Sequence, residues 1–428
     1  MLRTHYSSEI QPEMSGKKVT VAGWARNIRE HGGLMFLIVA DNSGEMQVTA
    51  KKGAVSNAVI QELSAVSKED AISVTGVVKK NEIAPGKREI IPEKIIILGK
   101  AESPLPLDLK VKSNLDTRLD WRFLDLRKPE VRAIFRIKDV VQRSFVRYLE
   151  ENGFILVNTP QIVAAATEGG ANLFPISYFD REAFLGQSPQ LYKQMLMASG
   201  LDKVIIVVPV FRAEEHDTSF HLNEATQMDI EMAFVSDEQD ALKYMDGVIS
   251  YIYSRVGEEC KNELELLERN ISVPKSVKQL TYDDALKLVK DKIKIKWGDD
   301  LTPEAQRVIC SHYNPVIVTK WPTDIRAFYA MPEPGNEKIC RAYDMLIDGI
   351  EVCSGAQRIH DHDKLVKEML RRKMNPKNFE FYLNAFRYGM PPHAGWSFGL
   401  ERLTMAITGA KNIRECVLFP RDRKRLMP

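Results

Sequence analysis

Apolar and polar residues change rhythm along the chain, and the rhythm divides it. Val19–Trp24 alternates with a period of two and is rich in β-formers, as in a strand with one buried face. Leu34–Ala40 is a short apolar run, followed by the turn Asp41-Asn42-Ser43-Gly44 and a further strand, Glu45–Ala50. Ala54–Val66 spaces its apolar residues as a helix does. Ala71–Lys79 and Glu89–Leu98 read as strands again, joined by a loop with Ala84-Pro85-Gly86. Three strands, a helix and two strands predict a five-stranded OB β-barrel over residues 1–102, a form that binds nucleic acid on an open face but has other uses too.

Residues 103–128 read as a hinge or linker. Ser103-Pro104-Leu105-Pro106-Leu107 is stiff and extended, because each proline fixes its own φ and restricts the residue before it. The second domain spans residues 129–428. It opens with an amphipathic helix, Val131 to about Glu151, that ends near Gly153. Val204–Phe211 and Gln227–Val235 are strands flanking a polar loop, and Asp237 to about Leu267 reads as one charged helix. Strands and helices then mix without a βαβ rhythm. That predicts an α+β domain, an antiparallel sheet flanked by helices.

Composition narrows the class less than the rhythm does. The net charge is +2, from 60 basic and 58 acidic residues, so RNA binding would rest on local patches. Five cysteines without a CxxC suggest neither a zinc site nor a disulfide framework. No apolar run reaches the roughly 18–20 residues of a membrane span, and the N-terminus lacks a signal-peptide layout. A cytoplasmic protein with no membrane role is expected.

Four polar clusters carry candidate chemistry. The first is Phe211-Arg212-Ala213-Glu214-Glu215-His216 with His221, Glu224, Asp229 and Glu231. A solvated loop explains a lone Arg-x-Glu, but in a strand Asp229 and Glu231 point to one face between apolar neighbours. The second runs from Gly349 to Arg358 with Asp344 upstream. Asp344 and Glu351 suit Mg2+, although a hairpin with a buried Glu–Arg pair fits as well. The third, Gly395-Trp396-Ser397-Phe398-Gly399-Leu400-Glu401-Arg402-Leu403, opens a helix that puts Arg402 in its first turn, where phosphate binds. The fourth joins Thr167-Glu168-Gly169-Gly170 to Gln187-Ser188-Pro189-Gln190-Leu191-Tyr192-Lys193. A lysine near a helix start opposes the dipole, so Lys193 faces an anion or simply solvent.

In order and spacing these clusters resemble the three motifs of the class II aminoacyl-tRNA synthetases. Gly153-Phe154-Ile155 through Thr159-Pro160 looks like motif 1, the dimer-interface segment; Phe211 through Glu231 like motif 2; Gly395–Leu403 like motif 3. The N-terminal barrel, Gln187–Lys193 and Ser354–Arg358 resemble the aspartyl branch of archaeal and eukaryotic type. The resemblance implies a homodimer that uses ATP and Mg2+ to activate aspartate and load it onto tRNA(Asp), with tRNA(Asn) as a second acceptor. It implies that Arg212 clamps the α-phosphate and the aspartate carboxylate, with Glu351 and Arg402 as its catalytic companions. Glu214, Phe220, His221, Leu222, Gly399, Leu400, Glu401 and Arg402 surround ATP. Asp344, Glu351 and Ser354 organise Mg2+. Lys193 and Arg358 hold the substrate's side-chain carboxylate, while Glu168, Gln190, Asp229 and Ser354 surround the amino acid, and Thr167–Gly170 closes over it; Arg212, Glu351 and Ser354 also touch ATP.

In the barrel the resemblance implies that Phe36 stacks an anticodon base, the alternative being a core position, and that Gln47 and Glu89 read base edges. Arg26 and Pro85 match positions tied to the third anticodon base. Pro85 has no N–H to donate, which favours dual tRNA specificity. Ala225 replaces the usual adenine-stacking aromatic and Phe220 stands where relatives often carry arginine, so the adenine sandwich departs from the family pattern. The rivals are an asparaginyl-tRNA synthetase, a non-catalytic RNA-binding paralogue and an amide-forming enzyme on the same catalytic domain. Two cations in the pocket would suit a carboxylate over an amide. Arg212, Glu351 and Arg402 speak for catalysis, and the barrel speaks against the amide-forming enzyme.

Overall fold

The computed structural model describes residues 2–111, 113–164, 172–215 and 217–428. Thr167–Gly170, with Glu168, and also His216 lie outside the described residues. The chain divides into two compact units, Met1–Pro129 and Glu130–Pro428.

In the first unit, β1 (Lys18–His31), β2 (Leu34–Ala40), β3 (Glu45–Lys51), β4 (Ala71–Lys80) and β5 (Arg88–Gly99) close a barrel in the order β1-β2-β3-β5-β4. Met35, Leu37 and Val39 point inward with Val21, Val48, Val74 and Ile90. The period-two alternation thus decides which side chains meet the core. Helix α1 (Asn57–Ser64) starts at Ser56, whose side chain accepts a hydrogen bond from the Val59 N–H. Residues 103–128 are more structured than a linker. They contain α2 (Leu115–Asp120) and α3 (Arg122–Asp125). Arg122 and Asp125 pair at 2.8 Å with both side chains fully buried. Arg127 pairs with Glu69 at 2.9 Å and lies over the Trp24 ring. A four-residue helix held by an ion pair leaves no hydrophobic period to read, which is why it escaped detection.

The second unit opens with α4 (Pro129–Glu151), which buries Val131, Ile134, Ile137, Val141, Phe145 and Leu149 at helical spacing. Gly153, at φ +81°, turns the chain out of it. Next come β6 (Ile155–Leu156), β7 (Ile162–Val163), β8 (Pro175–Tyr178), β9 (Arg181–Leu185), α5 (Gln190–Leu196), β10 (Lys203–Phe211) and β11 (Glu224–Ala233). The expected long helix is two, α6 (Glu238–Glu259) and α7 (Lys261–Leu266), because Cys260 leaves the helical region at φ −120°, ψ 33°. The rest comprises β12 (Lys278–Thr281), α8 (Tyr282–Val289), α9 (Pro303–His312), β13 (Val316–Pro322), β14 (Pro332–Glu333), β15 (Asn336–Ile347), β16 (Ile350–Gln357), α10 (His362–Arg371), α11 (Glu380–Arg387), β17 (His393–Gly399) and α12 (Leu400–Thr408).

Among the described residues, the main sheet runs β12-β13-β15-β16-β17-β11-β10-β6, with β14 beside β15. Its two end strands, β6 and β12, pair parallel with their neighbours, and those between pair antiparallel. One core gathers Phe145, Met245, Ile249, Ile230, Trp396, Phe398 and Met345, joining α4, α6 and one face of this sheet. The other face carries the polar residues. No helix among the described residues is long and apolar enough to cross a membrane. The five cysteines are free; Cys310 is partly buried and the others are buried.

Candidate active site

Four adjacent strands set four polar residues in one row. Asp229 on β11 faces Ser397 on β17, Ser397 faces Ser354 on β16, and Ser354 faces Asp344 on β15. One position along, Ile230, Trp396 and Tyr343 enter the core. A cavity of about 360 Å³ opens over the polar face, and its wall includes Lys193, Arg212, Asp229, Glu351, Arg358 and Arg402.

One half of the cavity is built from interlocked charges. The Lys193 Nζ donates to Asp229 Oδ1 at 2.7 Å and to the Ile230 carbonyl at 3.2 Å, and lies 3.4 Å from Glu231 Oε2. The Arg358 Nε and Nη2 grip Glu231 at 2.9 and 3.2 Å, and Nη2 also donates to the Gly395 carbonyl at 2.9 Å. Glu231 thus touches both cations, as the alternation of Asp229 and Glu231 on one face predicts. All four side chains are at least 96% buried. Burial would push the Glu231 carboxyl up, but Arg358 and Lys193 outweigh it and hold the group below the usual range. At Asp229 burial wins over Lys193 and Ser397, and its carboxyl is raised. Gly395 is required here, since a Cβ would collide with the Glu231 carboxylate. Gln190 and Ser188 also line this half.

The dipole argument for Lys193 does not hold. Helix α5 is seven residues long and Lys193 sits in its last turn. Burial against carboxylates explains the residue instead. Nor does the pocket hold two unpaired cations: Asp229 and Glu231 already balance Lys193 and Arg358. Preference for a carboxylate over an amide therefore depends on exchanging those partners. Arg358 is well placed to do so, as its Nη1 makes no hydrogen bond to a described residue.

The other half suits a nucleotide. Arg212, Glu214, Phe220, His221, Leu222, Ala225 and Gly399 line it. Arg212 follows β10, and among the described residues its charged neighbour is Glu214 at 4.0 Å. The first turn of α12 brings the Arg402 Nη1 to the Glu351 carbonyl at 3.2 Å and to Glu351 Oε1 at 4.0 Å. Leu400 is different: its side chain is in the core and not on the cavity wall. Glu401 is on the wall, but its two oxygens accept from Lys138 Nζ at 2.8 Å and from the Thr226 N–H at 2.9 Å, so it braces the sheet.

Glu351 and Asp344 fit a divalent cation. Burial first, and then the neighbouring Asp344, push the Glu351 carboxyl up to about 7, against Arg402 and Arg326. The Asp344 carboxyl is raised too, by burial. A carboxyl raised by a like-charged neighbour favours a cation close to the pair. The Asp344 Oδ1 is buried without a hydrogen-bond partner among the described residues. Ser354 lines the cavity beside them. Among the described residues no three His, Cys, Asp or Glu are grouped so as to hold a metal ion, so water and phosphate oxygens would complete such a site.

In the barrel, Phe36 is half-buried and points away from the core, opposite Thr49. Gln47 and Thr49 both donate to Glu89 Oε2, at 3.2 and 2.6 Å. Pro85 is exposed in the β4–β5 loop. Arg26 departs from the expectation. It pairs with Glu69 at 3.1 Å and donates to the Arg127 carbonyl at 3.0 Å, which turns it to internal bracing.

Sequence reasoning missed Ser397, which donates to Asp229 at 3.0 Å, although it stands inside a quoted motif. It also missed Arg326 and Tyr329, which line the cavity from a segment with no motif of its own.

Comparison with known proteins gives the family. The family model "tRNA synthetases class II (D, K and N)" matches residues 114–423, and "OB-fold nucleic acid binding domain" matches residues 19–98. An "Aspartate–tRNA(Asp/Asn) ligase" of Methanocaldococcus jannaschii is 49% identical over 100% of this chain and 98% of its own length. One of Archaeoglobus fulgidus is 48% identical over 99% of both. Among solved structures, an asparaginyl-tRNA synthetase from Pyrococcus horikoshii complexed with asparaginyl-adenylate superposes with TM-score 0.95 at 33% identity, covering both chains fully. A putative aspartyl-tRNA synthetase from Leishmania major superposes at 0.91 with 28% identity, covering 100% of this chain and 95% of that one. Matched by that family model over residues 114–423 and by relatives 48–49% identical along nearly its whole length, the chain belongs to the class II tRNA synthetases of the aspartate, lysine and asparagine group.

Proposed function

We propose that this chain activates L-aspartate with ATP and loads it onto tRNA(Asp) and tRNA(Asn). The observation that carries this is one cavity holding a charge-balanced amino-acid pocket, Lys193–Asp229–Glu231–Arg358, beside Arg212, Glu351 and Arg402. In the first step an α-carboxylate oxygen of aspartate attacks the α-phosphorus of ATP, and the bond to pyrophosphate breaks. In the second a ribose hydroxyl of the tRNA 3′ end attacks the adenylate carbonyl, AMP leaves and the hydroxyl proton is released. The first step brings two anions together, so positioned cations suffice for it without a protein base; in the second the hydroxyl proton passes to a phosphate oxygen of the departing AMP.

The substrate would enter by exchange of partners. Its ammonium takes Asp229, which frees Lys193 to face the side-chain carboxylate, and Arg358 Nη1 completes the grip. Gln190 lies alongside; Glu168 is assigned to the same pocket on resemblance alone. Arg212 bridges the aspartate α-carboxylate and the α-phosphate, and Arg402 meets the far end of the triphosphate. Phe220 is the one phenyl ring among Phe220, His221, Leu222 and Ala225, and it is assigned to stack on adenine. ATP is the substrate of this family and Mg2+ its usual metal. Held by Asp344, Glu351 and Ser354, Mg2+ would draw phosphate oxygens together and offset their charge. In the barrel, Phe36 stacks an anticodon base while Gln47 and Glu89 read edges. Pro85, with no N–H to offer, leaves the third base loosely read, which agrees with the two tRNAs in the relatives' names. A cytoplasmic enzyme is the location this reading implies.

Aspartate-dependent ATP–pyrophosphate exchange tests the first step. We expect exchange with aspartate at least 100-fold above that with asparagine, because a site built on hydrogen-bonding groups rejects an analogue that leaves them unpaired. Lys193→Ala should abolish it while ATP binding persists. Exchange driven better by asparagine, or undiminished in Lys193→Ala, contradicts the assignment.

A further inference from the structure

Beside the nucleotide half stands an arginine to which nothing above gives a role. Arg326 follows β13 and the single turn Thr323–Ile325. Its guanidinium lies 3.9 Å over the Trp321 ring, and its Nη2 pairs with Asp344 Oδ2. Arg326 is on the cavity wall, whereas Asp344 is not. The Asp344 side chain is 1% exposed and that of Arg326 is 16% exposed. The arginine therefore covers the carboxylate. The cover is incomplete in bonding: Asp344 Oδ1 and Arg326 Nε are both buried without hydrogen-bond partners among the described residues. Glu351 has its own arginine, Arg402. Each carboxylate that suits a cation thus has a guanidinium beside it.

We propose that Arg326 is a built-in counter-ion of the cation site, holding Asp344 until a divalent cation displaces it. This rests on the function proposed above. A cation arriving alone must break the Arg326–Asp344 pair and come to rest beside a displaced positive charge. One arriving with a nucleotide meets a different balance, because phosphate oxygens offer the displaced guanidinium a new partner. Trp321 keeps the planar group stacked as it lets go of Asp344. The device links cation binding to nucleotide binding and keeps the empty enzyme from holding metal in an unproductive place.

The test uses Mn2+ as probe, on the full-length enzyme without nucleotide, with free Mn2+ followed by electron paramagnetic resonance. Removing one positive charge next to the site should tighten Mn2+ binding by roughly tenfold or more in Arg326→Met, while Arg326→Lys, which keeps the charge, stays near wild type. Arg326→Met leaves Asp344 buried and unpaired and is expected to lose thermal stability. Mn2+ should restore it, and raise the melting temperature of Arg326→Gln more than that of wild type. Unchanged or weaker Mn2+ binding in both neutral variants, with no such rescue, overturns the proposal. Exchange assayed on the same wild-type preparation separates the two readings: activity with aspartate alongside unaltered Mn2+ affinity in the variants removes the counter-ion role alone.

Discussion

At the scale of single residues, the site works by pairing charges before any substrate arrives. Lys193 and Arg358 were legible because motif spacing singled them out. Their partners were not, since Lys193 meets Asp229 across 36 positions and Arg358 meets Glu231 across 127. No local pattern shows that two cations are already satisfied. His393 gives a prediction of the same kind. Its ring is fully buried; Nδ1 sits 2.8 Å from the Pro391 carbonyl and Nε2 3.0 Å from the Gln194 amide nitrogen. The neutral ring with its proton on Nδ1 satisfies both contacts. Burial, over the opposing pull of Glu231, lowers its pKa to about 4. The unfolded chain, near pKa 6.5, then binds more protons than the folded one between those values. Stability from this group is complete above pH 6.5 and is lost as pH falls through 4. Between pH 7 and pH 5 it should amount to roughly 2 kcal/mol. Urea titrations of wild type and His393→Asn at both pH values check this: wild type should lose that much more than the variant, and equal losses contradict it.

At the scale of elements, period decided what could be read. The barrel strands and α4 follow their periods of two and 3.6 closely, so their positions come straight from the residues. Helices α2 and α3 are held by Asp125, which pairs with Arg118 of one and Arg122 of the other, and show no such pattern. The break between α6 and α7 falls at Cys260 inside a continuing apolar spacing, with Val256, Cys260 and Leu264 all buried. Period alone cannot see one residue leave the helical region. Strand β6 carries a prediction. Among the described residues it ends the main sheet and pairs with β10 alone, and it leaves Ile155 and Leu156 about half exposed. An apolar sheet edge is a pairing surface. We expect a homodimer joined there, and Leu156→Asp should shift the mass found by light scattering from twice 48.7 kDa toward 48.7 kDa. A wild-type monomer, or a variant dimer as tight as wild type, contradicts this.

At the scale of the whole molecule, each unit has its own core and its own kind of recognition. The barrel presents an aromatic ring beside a bonded Gln47–Thr49–Glu89 group, which suits unpaired bases. The larger unit presents the charge-lined cavity. A net charge of +2 hides both, because acids and bases cancel inside the sites themselves. The claim that unites the two units is that aspartate, once activated, reaches RNA chosen by the barrel. Charging of purified tRNA(Asp) and tRNA(Asn) transcripts with labelled aspartate tests it most directly. Both transcripts should acquire acid-precipitable, base-labile aspartate, and a third tRNA with an unrelated anticodon should acquire none. Label on neither transcript, or labelled asparagine transferred in place of aspartate, would contradict it.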